Sequence, residues 1–454
     1  MSVRQNSLTS SVRGKRTGEH KKSRSRYLHE KMQEEESVPK TQVQGCAGDV
    51  FANKTERGGR LGKLSAVSLF SGAGGMDIGV AQSGFEILCQ IEKDIHCCET
   101  LRLAAERNDD NTVVVEDDIR NIDVASLMLS LQLKSGDLDL LFGGPPCQPF
   151  SLIGQRKSMG DERGMLLFEI IRFAQTFRPK AVMIEQVKGI LSAPDENGEK
   201  GGVFRRLLSM LEVMGYVPKW KVVRSADYGV PQLRERVIVV ATVKHHEFRF
   251  PLPTHSDQVN VNGLLFSALP YRTVGQALEG LEKPFTKDNC LPSCNHVDVT
   301  PSRDKIRIAG VPEGSHLAKE LHLPASQRCG LTKKDTTKFR RLSHSIPSIT
   351  LRCGEIFFHP TEDRYLTPKE YMRLHGYPDD YILAGPIRGR SGTAKNLDQH
   401  RQVANSVPPP LARVMAAEIR RAIGCQKSLK YLDIPLQIPA GKRKKSAGKH
   451  TARS

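Results

Sequence analysis

No run of about 18 apolar residues occurs in the sequence, which excludes a membrane-spanning helix. The first forty residues lack the apolar core of a secretory signal, so export is not expected. Ten cysteines are scattered through 454 residues, and without a secretory signal they read as reduced thiols and not as a disulfide framework. These absences together predict an intracellular, cytoplasmic chain with no membrane attachment. There is one tryptophan, Trp220, expected to serve packing, and no internal repeat. Acidic residues are also short: 68 Lys and Arg face 50 Asp and Glu, a formal net charge of +18. The length is ample for a buried core and exceeds one typical domain, so two lobes with tails are expected.

Much of the charge lies at the ends. Residues 1–64 carry a net +7 and residues 439–454 a net +6, leaving only about +5 for residues 65–438. Both ends are polar and poor in aromatics, and they cannot bury enough apolar surface to fold alone. They are read as a basic disordered N-terminal tail and a basic C-terminal tail. Such segments can neutralise phosphates and raise sequence-blind affinity for nucleic acid. A pair of solvated solubility tails is an equal reading.

Between the tails, apolar strands alternate with helical patterns. Strands are expected at 65–70, 85–91, 112–115, 137–142, 181–184 and 237–242, and helices near 76–83, 165–177 and 203–214. This alternation argues for βαβ units and a mostly parallel, doubly wound sheet. Glycine-rich, acidic, Pro-Cys and Glu motifs follow directly after strands. In an open α/β sheet those carboxyl ends form the ligand cleft. From about 244 to 338 the rhythm is lost and Pro, Asn, Ser and His are frequent, which reads as a smaller loop-rich lobe. Helical patterning returns at 367–374 and 409–422.

Phe70-Ser71-Gly72-Ala73-Gly74-Gly75 is a strand-to-helix turn over which a backbone can approach a nucleotide-like ligand, with Glu92 some twenty residues on for ribose hydroxyls. Its spacing departs from GxGxxG, so no pyrophosphate cradle is spelled out, and a tight turn needing glycine for packing is the alternative. Cys147 follows Gly143-Gly144-Pro145-Pro146. The prolines pre-set the backbone, and a thiol so presented near positive groups can act as a nucleophile, although a lone cysteine is more often inert. Glu185 ends an apolar strand, where a carboxylate needs a partner and a carboxyl in a partly desolvated cleft can donate a proton. Arg234 and Arg236, two apart at a strand start, are expected to share a face and grip a phosphate or a base carbonyl. For each of these the alternative is a structural ion pair.

The ordered set is Phe70–Gly75, Pro145-Pro146-Cys147-Gln148, Glu185-Gln186-Val187, Gln232-x-Arg234-x-Arg236, Arg364 through Asp379, and Gln402-Val403-Ala404-Asn405-Ser406-Val407. In this order it resembles the DNA (cytosine-5)-methyltransferase family, over roughly residues 64–424. The resemblance implies a Rossmann-like class I methyltransferase domain over 65–243 and 398–430, with a target-recognition domain over 244–397. It implies S-adenosyl-L-methionine as cofactor, contacted by Phe70, Ser71, Gly72, Gly74, Gly75, Glu92, Asp118, Ile119, Pro146, Asn405, Ser406 and Val407. It also implies that Cys147 attacks carbon 6 of a flipped-out cytosine and that Glu185 acts at nitrogen 3. Arg236 would meet the base carbonyl, and Arg234 a phosphate or the catalytic loop. Double-stranded DNA is the partner it implies, with a monomeric, nucleoid-associated enzyme and room for a companion restriction endonuclease.

Three positions depart from the family pattern: Gln186 replaces Asn, Ala404 replaces Gly, and His375 replaces Gln. None removes a reacting group, although Ala404 requires a negative φ. An RNA cytosine-5 methyltransferase is the alternative enzyme, and a catalytically inactive DNA-binding relative the alternative outside enzymes. The long loop-rich segment favours DNA, and retention of Cys147 and Glu185 favours catalysis. Cys290-x-x-x-Cys294 with His296 is too loose a spacing for zinc, and no metal is expected. Cys97 and Cys98 are expected in a buried helix.

Overall fold

The computed structural model describes residues 63–146, 162–257, 268–286, 295–317, 324, 339–388 and 396–424. Cys147, Cys290, Cys294 and both tails lie outside the described residues.

The chain begins β1 (Leu64–Leu69), α1 (Gly75–Gln82), β2 (Phe85–Glu92), α2 (Ile95–Arg107), β3 (Val113–Glu116), α3 (Val124–Ser130) and β4 (Leu140–Gly143). It continues α4 (Glu162–Phe177), β5 (Ala181–Gln186), α5 (Gly202–Val213), β6 (Tyr216–Arg224) and β7 (Glu235–Val243). These strands form one seven-stranded sheet in the order β3-β2-β1-β4-β5-β7-β6. All neighbours from β3 to β5 pair in parallel, and β7 runs antiparallel to both β5 and β6. The mixed α/β fold with a mostly parallel sheet is thus the one the strand–helix alternation predicts. β1, β4 and β5 are buried almost throughout, as apolar strands covered on both faces must be.

Strand order reverses between β1 and β4, so their carboxyl ends lie side by side, with Leu69 opposite Gly143. That reversal opens the crevice where an α/β sheet binds ligands. The glycine turn and the Pro-Pro loop therefore leave adjacent strands.

Three elements around the sheet go beyond the sequence reading: α3, β6 and α2. β6 was not expected, because it is a sheet edge carrying Lys219, Trp220 and Lys221 outward and includes Pro218, which an edge tolerates. Trp220 is accordingly 46% exposed, its ring edge-on to Phe204. α2 was anticipated only through Cys97 and Cys98, which are fully buried.

The later part of the chain contains the short strand pairs β8 (His255–Ser256) with β9 (Leu269–Pro270) and β10 (Phe339–Arg341) with β11 (Ile356–Phe358). Its helices are α6 (Val274–Leu278), α7 (Ser302–Ile308), α8 (Pro368–His375), α9 (Gln399–Asn405) and α10 (Pro409–Gly424). A capping box fixes the start of α8: Thr367 accepts from the Glu370 N–H while Glu370 accepts from the Thr367 N–H. α10 lies on the sheet against α1, joining one core with Met76, Val80, Phe142 and Ile238. A second core gathers Ala73, Leu351, Phe357, Tyr371, Tyr377 and Val403 beside the glycine turn.

Candidate active site

Glu185 is the penultimate residue of β5, and Arg236 lies diagonally across the antiparallel pair on β7. The Arg236 Nε meets Glu185 Oε1 at 2.7 Å, and Glu185 is only 8% exposed. A buried carboxylate of this kind needs such a partner. The second oxygen, Oε2, lies 3.3 Å from where a methyl on Gly144 would sit. The carboxyl therefore stands against the loop that leads into Pro145, Pro146 and Cys147. Gln186 turns its amide the same way, its Nε2 donating to the Pro145 carbonyl at 2.8 Å. The longer amide that replaces Asn thus braces the loop itself. Pro145 is buried and Pro146 exposed.

Arg234 does something other than the sequence suggested. It is 2% exposed and donates to the carbonyls of Ala404 and Ser406, both at 3.0 Å, and of Leu351 at 3.4 Å. It precedes β7, in a three-residue turn closed by its own N–H on the Gln232 carbonyl at 2.9 Å. Strand alternation does not reach back through such a turn. Arg234 is therefore not exposed beside Arg236 to grip a phosphate. It clamps the segment through Asn405 instead. Gln232 is equally buried, bonding the Leu351 N–H and His375 Nδ1. His375 is held neutral, foremost by its burial and then by the nearby Arg234.

On the other side of the crevice, the turn after β1 runs through the left-handed region, which strains Phe70 and is free for glycine. Phe70, Gly72 and Gly74 all have positive φ, at 55°, 55° and 72°. Glu92, at the end of β2, latches this turn: Oε2 accepts the Gly72 N–H, and Oε1 accepts those of Lys93 and Asp94, each at 2.9 Å. Burial raises its pKa above the usual range. Three of about four acceptor sites are used, leaving one for a ligand hydroxyl. Asp118 and Ile119 follow β3, tied in by the Asp117 N–H on the Glu92 carbonyl at 3.1 Å. Arg120 chelates the Asp118 carboxylate at 2.9 and 3.0 Å and draws its pKa down to about 2.

The glycines divide by role. A methyl on Gly72 would meet no atom within 4 Å, so open space lies above it. A methyl on Gly75 would come within 2.4 Å of the Val407 carbonyl, and one on Gly74 within 2.7 Å of the Tyr381 hydroxyl. Gly74 and Gly75 make room for protein. Ser406 and Val407 thus return to the turn, with the Ser406 hydroxyl on the Val403 carbonyl at 2.8 Å, while Asn405 is exposed at the end of α9. Ala404 lies within α9 and is absent from the positive-φ residues, so it replaces glycine without strain. The open space over Gly72, the spare acceptor of Glu92 and the neighbouring Asp118 fit the ribose and adenine of a nucleoside cofactor.

The structure thus brings Phe70–Gly75, Glu92, Asp118, Ile119, Pro146, Glu185, Arg236 and Asn405–Val407 to the carboxyl edge of one sheet. Tyr377 and Tyr381, which cover the back of the turn, were not singled out for the site; nothing local marks them. His296 spends both ring nitrogens, on Thr367 and the Glu282 carbonyl. Among the described residues no group of three metal-ligating side chains occurs, and no helix is long and apolar enough to cross a membrane.

The family model described as C-5 cytosine-specific DNA methylase matches residues 64–421. The type II methyltransferase M.PspPI of a Psychrobacter species is 32% identical over 374 residues, 79% of this chain and 79% of that protein. M.AquIA of a Picosynechococcus species is 39% identical over 226 residues, 47% of this chain and 88% of that protein. Among solved structures, a putative DNA modification methyltransferase from an Escherichia coli prophage superposes with a TM-score of 0.57 at 22% identity, over 80% of this chain and all of that one. This last likeness concerns the fold.

Proposed function

The chain belongs to the C-5 cytosine-specific DNA methylase family, and on that premise we propose how its residues divide the reaction. The protein is a DNA cytosine-5 methyltransferase that uses S-adenosyl-L-methionine. Bound at the site, that cofactor supplies an electrophilic methyl group on a sulfonium. Glu92 takes a ribose hydroxyl with its spare acceptor, Asp118 and Ile119 flank the adenine, and Phe70 with the open face of Gly72 lines the remainder. Asn405 to Val407 close the pocket.

The target cytosine leaves the stack, at a cost of a few kcal/mol, to enter the crevice. The Cys147 thiolate adds to carbon 6 while Glu185, oriented by Arg236, holds the ring at nitrogen 3. Addition makes carbon 5 nucleophilic. After methylation the carbon-5 proton leaves to a base and the thiolate is expelled, restoring the ring. Arg236 faces the base carbonyl, and Arg234 is a positioning residue for the Asn405 segment. Residues 244–397 read the DNA, and the tails add sequence-blind affinity. The relatives' names as type II methyltransferases support a modification role; a companion restriction endonuclease and action at the nucleoid belong to the same proposal. A monomer suffices, because the pocket is assembled within one chain.

The observation that carries this division is the Glu185–Arg236 pair at 2.7 Å, set against the loop leading to Cys147. A random-sequence duplex pool carrying 5-fluorocytosine should trap the wild type as a denaturant-stable adduct, since fluorine does not leave as a proton does. Cys147→Ser should form no adduct yet still bind S-adenosylmethionine. Glu185→Gln should lose about 10²–10⁴-fold in rate. Normal turnover by Cys147→Ser, or a merely twofold loss in Glu185→Gln, would refute these roles.

A further inference from the structure

The back of the glycine turn is covered by two tyrosines from the segment after α8. The Tyr381 hydroxyl donates to the Ala73 carbonyl at 2.9 Å, and that of Tyr377 stands 3.5 Å from the same oxygen. The two rings lean together at 5.3 Å. Gly74 must be glycine in part because of Tyr381, whose hydroxyl occupies the place its side chain would take.

The turn has reason to need holding. Phe70, at φ 55°, is a non-glycine residue in the left-handed region, a strain that persists only where the surroundings over-determine it, while Gly72 and Gly74 adopt their positive φ freely. Glu92 grips the turn from β2 at the Gly72 N–H, and Tyr381 grips it from the opposite side at the next residue. The tyrosine's own segment is anchored independently. The Ala384 N–H donates to the Thr100 hydroxyl at 2.9 Å, Asn295 bonds both the N–H and carbonyl of Leu383, and Gln402 Nε2 donates to the Ala384 carbonyl at 2.9 Å.

We propose that Tyr381 is a positioning residue for the methyl donor: its hydroxyl fixes the Ala73 carbonyl, and with it the turn beneath the cofactor. Donor affinity then depends on how the segment after α8 is seated. The inference rests on the assignment of Phe70–Gly75 to the cofactor.

The test is equilibrium binding of S-adenosylmethionine to the full chain without DNA, followed by steady-state kinetics on unmethylated genomic DNA. Tyr381→Phe keeps the ring and removes one hydrogen bond, so the dissociation constant should rise about threefold to tenfold. KM for the donor should rise by the same factor, while kcat at saturating donor and KM for DNA stay at wild-type values. Thr100→Val, which loosens the seat at Ala384, should shift donor affinity in the same direction. Tyr365→Phe is the control: it loses a hydroxyl that serves Asp304, in a separate apolar cluster, and should leave the donor constant unchanged. Unchanged donor affinity in Tyr381→Phe, or a fall in kcat with KM constant, would overturn the proposal. Failure of the wild type to bind the donor would instead refute the cofactor assignment on which it rests.

Discussion

Asp77→Asn tests whether a buried acid beneath the cofactor turn is carried as a neutral group. Asp77 sits in the first turn of α1 and is 3% exposed. Its Oδ1 accepts from Gln90 Nε2 on β2 at 2.9 Å, while Oδ2 is buried without a hydrogen-bond partner among the described residues. Burial raises its pKa from 3.8 to about 6, against the opposing pull of Gln90 and Ser68, and Glu92 adds a smaller upward push. Such a carboxyl holds its proton more tightly folded than unfolded. Its contribution to stability is therefore complete below pH 3.8 and is lost as pH rises through about 6. A displacement of about two pH units corresponds to about 3 kcal/mol.

The asparagine stays neutral throughout. The stability of Asp77→Asn relative to wild type should thus improve by about 2 kcal/mol between roughly pH 4 and pH 7. Urea unfolding followed by circular dichroism at several pH values measures it. Asparagine also places an N–H₂ where Oδ2 lacked a partner, a pH-independent cost of about 1–3 kcal/mol, so the slope is diagnostic and the offset is not. Parallel pH dependences for the two proteins would refute the reasoning.

Two further perturbations separate roles that the sequence had joined. Arg234→Lys replaces a fork serving three carbonyls by one ammonium and should cost about 2 kcal/mol of stability in the same unfolding assay, with KM for DNA unchanged; a raised KM for DNA at full stability would restore the phosphate role. Deleting 439–454 removes six basic residues and should flatten the salt slope of DNA binding by at most about 5, with the methylated word unchanged by bisulfite sequencing, whereas exchanging 250–338 for a relative's segment should change the word. A word altered by tail deletion, or unaltered by the exchange, would reverse those roles.

What could be read beforehand follows from where the information lies. β1, β4 and β5 are buried on both faces, so their apolar runs announced them. β6 pairs on one side only and presents Lys219 and Lys221 to solvent, which leaves no apolar alternation to find. The antiparallel direction of β7 depends on the return through β6, which sequence periodicity does not encode. Glu185 and Arg236 were legible because strand ends and alternation are local properties. Arg234 was misread because a three-residue turn interrupts that alternation one residue before β7.

The glycine turn carries the same argument further. The sequence offers two readings of Gly72, Gly74 and Gly75, a backbone that meets a nucleotide and a tight turn needing glycine for packing. Only Gly72 has open space above it; the other two are glycine because Tyr381, Tyr377 and Val407 stand against them. Those neighbours lie some three hundred residues downstream, so no local pattern could sort which of the glycines serve packing. It follows that the turn is not a self-sufficient cradle supplied by β1 and α1. Its shape is set from the front by Glu92 and from behind by residues of the segment after α8 and by the link between α9 and α10. A substitution at either tyrosine should therefore register at the cofactor before it registers in the fold.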